Sequence, residues 1–380
     1  MLPKISSAML ILTHACNLAC RYCFVQKEPE TMTLETAKAA ADFLIANSEG
    51  NTPEINYFGG EPTLCWDSII VPLTRYIRDM GKPFHLAMTS NGVLLTDERL
   101  QFMKDNDIGL LFSIDGAKAT QDYNRPFRDG SGSFDALESR IQAIAKAFPN
   151  TTFRMTAIPP TCGHLFENIC FAKESGFKNF FVVPNVFEAW DEQSRETITG
   201  ELRKYGDMYI DAMRKGETPM QFSTLEKAFS DIKQINAAVK GAYRKLCTAS
   251  GKCGMGASRF ASIHPNGNLY ACQEMTSNEG PDSIFYIGNI FTGVLNERRE
   301  MLMTLFDSRP VVTEQCGKCR YVRICDGGCV ANNYMTTGYL NTMPEVYCWW
   351  RGTVLEEAIR ISRVLGEEQN PEFLKKWRAK

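Results

Sequence analysis

Apolar and polar positions alternate along the first half of the chain in a pattern typical of strands followed by helices. The apolar run at 8–12 predicts a buried strand, and Thr33 predicts the N-cap of an amphipathic helix whose small apolar residues recur every three or four positions. The alternation continues through strands at 55–58, 84–89, 109–114, 152–158 and 179–183 and helices near 67–80, 97–106, 133–147 and 164–175. About six such units predict a parallel sheet with right-handed crossovers.

A closed barrel of eight units normally takes about 250 residues, whereas only about 190 residues precede the change of pattern here. We therefore expect an α/β fold with an open, partial (β/α)6 TIM-like barrel over residues 1–240. Cysteines become dense from residue 247, and so loop-rich a domain depends on metal ligation for much of its stability. This predicts a small cysteine-rich domain over 241–350 and a C-terminal helix over 351–380.

Composition limits the classes of partner and compartment. Over 380 residues the net charge is −2, which gives no bulk electrostatic basis for binding nucleic acid or an acidic membrane. The longest apolar runs are too short to span a bilayer, and the N-terminus lacks the charged-then-apolar pattern of a signal peptide. Fourteen cysteines without an export signal indicate metal or redox chemistry in a reducing compartment, so we expect a cytoplasmic protein.

Three of these cysteines, Cys16, Cys20 and Cys23, lie within eight residues directly after the first predicted strand. A loop this tight can give one thiolate to each of three irons of a cubane cluster, which leaves the fourth iron without a protein ligand. Iron–sulfur clusters normally take four cysteines, so a set of three indicates that another molecule completes the site. A zinc site or three unrelated core cysteines are the alternatives, but zinc sites favour Cys-x2-Cys pairs.

The motif of Cys16, Cys20 and Cys23 resembles that of the radical S-adenosylmethionine (SAM) enzymes. The resemblance implies that SAM chelates the open iron and that its reductive cleavage gives a 5′-deoxyadenosyl radical, which abstracts hydrogen from a substrate. It also implies cofactor contacts from residues near the ends of the predicted strands: Tyr22, Gly59, Gly60, Glu61, Asn91, Ser113, Arg125 and Val186. Glycines permit close backbone approach, and a carboxylate can pair with the ammonium group of SAM. A surface salt bridge is the alternative for Arg125, and core packing is the alternative for Val186.

The C-terminal region carries eight further cysteines, enough for two four-cysteine clusters. Their spacing resembles the SPASM extension of radical SAM enzymes, which implies one auxiliary [4Fe–4S] cluster on Cys247, Cys253, Cys272 and Cys329 and another on Cys316, Cys319, Cys325 and Cys348. With the first cluster, the expected cofactors are three [4Fe–4S] clusters and SAM. Two zinc ribbons are the alternative, since Cys-x2-Cys is also a zinc signature. Three cysteines remain and are expected to pack as small apolar residues: Cys65, Cys162 and Cys170.

Most relatives of this kind act on peptides or proteins, as anaerobic sulfatase maturases or as maturases of ribosomally made peptides. In sulfatase maturases the base is an aspartate directly after the cysteine equivalent to Cys272, whereas Gln273 and Glu274 follow it here. An amide cannot act as a general base near neutral pH, and Glu274 would act only if the backbone turned it inward. The leading hypothesis is a peptide maturase that forms a thioether or carbon–carbon cross-link. The alternative is formylglycine formation on a protein Cys or Ser, with Glu274 or another carboxylate as the base.

The hypothesis implies a peptide or protein substrate and a reducing protein such as ferredoxin or flavodoxin. Because the first cluster ligand is at position 16, we expect no N-terminal precursor-recognition domain. Leader binding then falls to the barrel surface, the SPASM surface or a separate leader-recognition protein. We expect no nucleic-acid or membrane partner. A non-catalytic iron–sulfur or zinc scaffold is a third interpretation, and Glu61, Ser113 and Arg125 argue against it.

Overall fold

The computed structural model of the protein describes residues 2–25, 29–238, 258–274, 280–307, 314–322, 324–325 and 327–379. In these parts of the chain eleven strands form one sheet. The first seven are β1 (Ser7–Thr13), β2 (Glu54–Gly59), β3 (His85–Ser90), β4 (Ile108–Ser113), β5 (Thr152–Ala157), β6 (Asn179–Pro184) and β7 (Gln221–Phe222). They lie in chain order and pair in parallel, which confirms the predicted open barrel.

Helices follow these strands, as the apolar periodicity predicts. They are α1 (Leu34–Ala46), α2 (Val71–Asp79), α3 (Asp97–Asp105), α4 (Lys118–Asn124), α5 (Phe134–Ala147), α6 (Leu165–Glu174), α7 (Glu192–Arg214) and α8 (Ser223–Ala238). Thr33 caps α1 as predicted, because its side chain accepts a hydrogen bond from the N–H of Thr36. The predicted helix near 67–80 begins with a π-helical turn (Trp66–Ile70), and its α-helical part starts at Val71.

Alternate residues of each strand face either the helices or the barrel lumen. Phe112 on β4 and Phe153 on β5 are paired and fully buried, and both pack against Phe177 in the outer layer. The next residues along the two strands, Ser113 and Arg154, are also paired and therefore face the lumen. The helices bury the outward set in one apolar core, so chemistry falls to the lumen and the loops above it.

The sheet continues past the predicted domain boundary near residue 240. Strand β8 (Phe260–Ile263) pairs in parallel with β1, and three antiparallel strands extend it: β9 (Asn268–Tyr270), β10 (Tyr286–Asn289) and β11 (Gly293–Val294). A backbone ladder therefore joins the cysteine-rich region to the first strand of the barrel.

The remaining helices are α9 (Asn296–Asp307), α10 (Glu314–Lys318), α11 (Val330–Thr337), α12 (Glu345–Glu367) and α13 (Pro371–Ala379). The single helix expected over 351–380 is therefore two helices, the first of which begins earlier, at Glu345. Asn370 causes the break, since its side chain accepts a hydrogen bond from the N–H of Phe373 (2.9 Å) and Pro371 takes the first helical position. No helix in the described parts is long and apolar enough to cross a bilayer.

Candidate active site

The three cysteines of the N-terminal motif lie in the loop that leaves the C-terminal end of β1, where a parallel barrel carries its active site. Cys16 and Cys20 are half-buried, and Cys23 is exposed. Among the described residues, no group of three or more His, Cys, Asp or Glu side chains is close enough to hold a single metal ion. Three thiols on one short loop are the donor set that an iron–sulfur cluster uses, with one thiolate on each iron.

Backbone hydrogen bonds fasten the cysteine loop to the segment that follows α4. The N–H of Ala19 donates to the carbonyl of Pro126 (2.7 Å), and the N–H of Arg21 donates to the carbonyl of Asn124 (3.0 Å). This pairing places the residue between those two carbonyls, Arg125, against the thiols. The loop conformation is therefore fixed by a segment about a hundred positions later in the chain.

Nitrogen donors surround two of the three sulfurs. The N–H of Leu18 lies 3.4 Å from Cys16 Sγ, and Asn91 Nδ2 lies 3.9 Å from the same atom. Arg125 Nη1 lies 3.9 Å from Cys20 Sγ. Donors of this kind stabilise the thiolate form and, around a cluster, influence its reduction potential. The loop and its surroundings therefore suit cluster ligation, although each SAM contact remains a prediction.

The carboxylate of Glu61 is buried, 1 % exposed, and turned inward. Its Oε1 accepts hydrogen bonds from the N–H of Thr63 (3.1 Å) and the hydroxyl of Ser90 (2.9 Å), and its Oε2 accepts one from the N–H of Asn91 (2.8 Å). Burial raises the pKa of Glu61, while these donors act in the opposite direction. Glu61 therefore orders the junction between the ends of β2 and β3, and its contact with the SAM ammonium group stays a prediction.

The two glycines before Glu61 are required by close backbone packing. A Cβ on Gly60 would lie 2.2 Å from the carbonyl oxygen of Ala15 and 2.6 Å from that of His14. A Cβ on Gly59, where φ is +130°, would lie 2.3 Å from the carbonyl oxygen of Thr13. The glycines thus admit the start of the cysteine loop, which is a different reason for glycine from the ligand approach that the sequence suggests.

Asp115, which the sequence pattern marks only as part of an Asp-Gly turn, holds two of the predicted SAM contacts. Its carboxylate accepts hydrogen bonds from the hydroxyl of Tyr22 (2.6 Å) and the N–H of Thr156 (2.9 Å), and its Oδ1 lies 3.1 Å from Arg125 Nε. Burial raises the pKa of Tyr22 well above its ordinary value, so the phenol stays protonated and donates. Because Tyr22 is 93 positions away, the local sequence gives no signal of this role.

Two other predicted contacts differ in their surroundings. Ser113 ends β4 on the lumen face. Val186, 9 % exposed, belongs to the apolar core just after β6. The fold therefore gathers Tyr22, Asn91 and Arg125 around the cysteine loop and sets Ser113 at the same end of the sheet.

Three C-terminal thiols lie within electrostatic range of a fourth, that of Cys348. Burial, and after it the neighbouring thiols of Cys325, Cys319 and Cys316, raises the pKa of Cys348 to about 11. These are the four members of the second auxiliary ligand set. Of the first set, Cys272 follows β9 and Cys329 precedes α11, whereas Cys247 and Cys253 lie outside the described residues. The division into two clusters stays a prediction.

A hydrogen bond from a nearby amide recurs at several of the assigned ligands. The sulfurs of Cys272, Cys319 and Cys325 each accept a hydrogen bond from the amide two residues further along, at 3.5, 3.4 and 3.3 Å. By contrast, the thiol of Cys162 donates to a backbone carbonyl (3.6 Å), and Cys65 is 4% exposed within the apolar core. The first group suits thiolate ligands, and the second suits protonated thiols packed in a core.

Gln273 and Glu274 lie in a turn directly after Cys272, so the alternation of strand faces does not orient them. Burial raises the pKa of Glu274, while the positive charge of Arg154 and a hydrogen bond with Gln273 act in the opposite direction. Glu274 therefore lies within electrostatic range of the lumen-facing Arg154. The condition that the backbone must turn Glu274 inward assumes a continuing strand, and the described chain forms a turn at this point.

The open barrel of parallel strands carries three cysteines in the loop after its first strand, an arrangement that can hold an iron–sulfur cluster at the mouth of the sheet. Residues 10–170 match the family model described as the radical SAM superfamily. This part of the chain therefore contains a radical SAM domain. Enzymes of this superfamily use a [4Fe–4S] cluster together with SAM.

Similarity to known proteins extends over most of the chain. The serine-type anaerobic sulfatase-maturating enzyme of Klebsiella aerogenes is 22% identical over 348 residues, 87% of this chain and 82% of the relative. The solved structure of histidine-tagged anSMEcpe with bound AdoMet superposes with a TM-score of 0.74 at 19% identity, covering 96% of both chains. Streptococcus suis SuiB bound to the precursor peptide SuiA superposes with a TM-score of 0.63 at 15% identity, covering 92% of this chain and 76% of SuiB.

Proposed function

We propose that this protein is a peptide maturase that uses SAM-derived radical chemistry to install a thioether or carbon–carbon cross-link in a ribosomally made peptide. The observation that carries this choice is Gln273. The position directly after Cys272 holds an amide, which cannot take the proton that formylglycine formation must remove. SuiB, which has a similar fold, binds a precursor peptide, and this supports a peptide as the substrate class.

The proposed cofactors are SAM and three [4Fe–4S] clusters, one on Cys16, Cys20 and Cys23 and two on the C-terminal cysteines. When bound, SAM and the first cluster supply a 5′-deoxyadenosyl radical that abstracts a hydrogen atom from the substrate. The amide-to-sulfur hydrogen bonds support thiolate ligation in both regions. Eight C-terminal ligands leave neither auxiliary cluster with an open iron, which favours electron transfer over substrate binding.

In this proposal the chain's own residues orient SAM. Arg125, fixed by Asp115 and next to Cys20, binds the carboxylate of SAM. Glu61 holds the glycine segment beside the cysteine loop, where the amino group of SAM binds, and Ser113 contacts the ribose from the end of β4. Each of these residues is positioned before the ligand arrives, which reduces the cost of ordering on binding.

A second candidate function is oxidation of a Cys or Ser residue of a sulfatase to formylglycine. Two observations favour it: a sulfatase-maturating relative is similar along most of the chain, and Glu274 lies in a turn within electrostatic range of Arg154. Glu274 would then replace the aspartate as the base. This candidate and the cross-linking maturase share all cofactors and differ in the substrate, the need for a base and the product.

Mass spectrometry of anaerobic reactions separates the two functions. The reconstituted enzyme is incubated with SAM, dithionite and small peptides encoded beside its gene, and a sulfatase-type cysteine peptide is the comparison substrate. Loss of about two mass units from a neighbouring peptide, as expected for oxidative coupling, supports the maturase. Conversion of thiol to formyl in the comparison peptide alone supports the second candidate. Release of 5′-deoxyadenosine without change in any peptide contradicts both.

The proposed partners are a ferredoxin- or flavodoxin-type reductant and, if a leader sequence is recognised, a separate leader-binding protein. Iron analysis tests the cofactor part independently of the substrate. Three clusters correspond to about 12 irons per chain, with broad absorbance near about 400 nm. Zinc in place of iron would favour the scaffold interpretation and contradict the enzyme's proposed auxiliary clusters.

A further inference from the structure

Arg154 is a charged side chain inside the barrel. It pairs with Ser113 on one side and with Phe181 on the other, and its strand neighbour Phe153 is buried against the helices. Strand alternation therefore turns the Arg154 side chain into the lumen, level with the end of β4 where Ser113 is expected to contact SAM. A guanidinium group at this height lies at the level of the lumen where SAM is expected to bind.

No other residue of β1–β6 places a charge at this height in the lumen. The other charged or titratable side chains at lumen-facing positions of these strands are Glu54 and His85, and both are the first residues of their strands, at the opposite end of the barrel. Arg154 is the third residue of β5 and half-buried. A partly desolvated positive charge of this kind needs an anionic partner.

Among the described residues, few groups contact the Arg154 guanidinium. Arg154 Nη1 donates a hydrogen bond to the hydroxyl of Thr156 (3.3 Å). No carboxylate of the described residues lies within ion-pairing distance of Arg154, and the charge of Glu274 interacts with it only at longer range. A guanidinium group has five N–H donors in a planar fork that matches a carboxylate. Most of this donor capacity is therefore directed into the space where a substrate would lie.

We infer that Arg154 binds a carboxylate of the peptide substrate, either an Asp or Glu side chain or the C-terminus, beside the apolar surface of Phe181. This inference rests on the proposed peptide substrate. The carboxylate of SAM has the same chemistry, but Arg125 beside Cys20 is the guanidinium nearer the predicted cluster. Arg154 would thus select an acidic residue next to the position that is modified and hold it by a bidentate contact.

Chemical labelling of the cluster-loaded wild-type protein tests the site without turnover. Phenylglyoxal modifies arginines, and peptide mapping gives the separate rates at Arg154 and at the exposed Arg75, which serves as an internal control. Samples contain no addition, SAM alone, SAM with N-acetylglycine, or SAM with N-acetylglycinamide. We expect saturable protection of Arg154 by N-acetylglycine, about fivefold at four times its dissociation constant, and none by the amide. Equal effects of acid and amide, equal slowing at Arg75, or full protection by SAM alone would each overturn the inference.

Turnover separates a failure of this inference from a failure of the proposed function. On a peptide that the enzyme modifies, Arg154→Gln should raise the KM of the acidic form about tenfold and change that of the amidated form little, since only the acid makes the charged contact. Equal KM changes for the two forms would refute the carboxylate site while leaving the peptide maturase intact. Protection of Arg154 without modification of any peptide would retain the site and refute the maturase.

Discussion

Replacing Asp115 with asparagine should destabilise the barrel more than its single-atom change suggests. Asp115 and its partner Arg125 are 1 % and 5 % exposed, so water cannot replace the lost charge. In Asp115→Asn one acceptor oxygen becomes an N–H donor, which meets either the hydroxyl of Tyr22 or the N–H of Thr156, both of which donate to the carboxylate. The guanidinium group of Arg125 is left buried beside a neutral amide.

The size of the effect follows from these contacts. Removing one partner of a buried ion pair costs about 3–5 kcal/mol, and losing a hydrogen bond to a charged group costs about 1.5–3 kcal/mol. Because the contacts share one carboxylate, these costs overlap and do not add. We expect Asp115→Asn to lower the free energy of unfolding of the apoprotein by about 3–5 kcal/mol. Cluster-loaded Asp115→Asn should bind SAM more weakly, by about tenfold for each 1.4 kcal/mol of lost orientation.

Denaturant unfolding of the apoprotein, monitored by fluorescence, measures the first effect, and equilibrium dialysis of SAM measures the second. Asp135→Asn is the matched control, since that carboxylate is 75% exposed in a surface pair with Lys118 and should contribute about 0–1 kcal/mol. A double-mutant cycle with Arg125→Gln isolates the ion pair. If Asp115→Asn costs no more than Asp135→Asn, or if the two changes in the cycle are additive, the role assigned to this carboxylate is wrong.

Three further predictions concern other parts of the molecule. Gly60→Ala should destabilise the apoprotein by about 1–3 kcal/mol and abolish SAM cleavage, because its Cβ would press on the carbonyl of Ala15; unchanged melting would contradict this packing. Burial lowers the pKa of His264 to about 3, whereas in the unfolded state it is near 6.5. Below pH 6.5 the unfolded state therefore binds a proton that the folded state does not, and His264 should lower the free energy of unfolding by about 1.4 kcal/mol for each unit that the pH falls from 6 to 4. His264→Phe should remove this contribution. Cys348→Ala should lower the iron content by about four atoms per chain while Cys65→Ala leaves it unchanged; equal iron contents would refute the ligand assignment.

The strand–helix alternation could be predicted because its signal is local. The predicted strand at 152–158 is β5 (Thr152–Ala157), and the predicted helix at 133–147 is α5 (Phe134–Ala147). Apolar residues recur every two positions in the strand and every three or four positions in the helix, and no distant contact alters this pattern. The spacing of Cys16, Cys20 and Cys23 is equally local, so the position of the candidate site could also be predicted from the sequence.

Features that depend on distant contacts could not be predicted from the sequence. The break before α13 depends on Asn370, whose side-chain amide donates to the carbonyl of Met213 on α7 (3.0 Å) as well as capping its own helix. The function of Asp115 depends on Tyr22 and Thr156, which belong to other loops and strands. The directions of Gln273 and Glu274 also escape the sequence pattern, because three-residue β9 ends before a continuing strand could fix them.

The pairing of β8 with β1 has a consequence for how the chain emerges from the ribosome. Ser7 on β1 pairs with Phe260 on β8, so one side of the first strand waits for a partner made about 250 residues later. Until then the nascent barrel has an open edge of unpaired N–H and C=O groups, which is a template for aggregation. A fragment that ends at residue 240 would keep that edge permanently. The C-terminal region therefore protects the N-terminal strand, and the natural unit for expression is the whole chain.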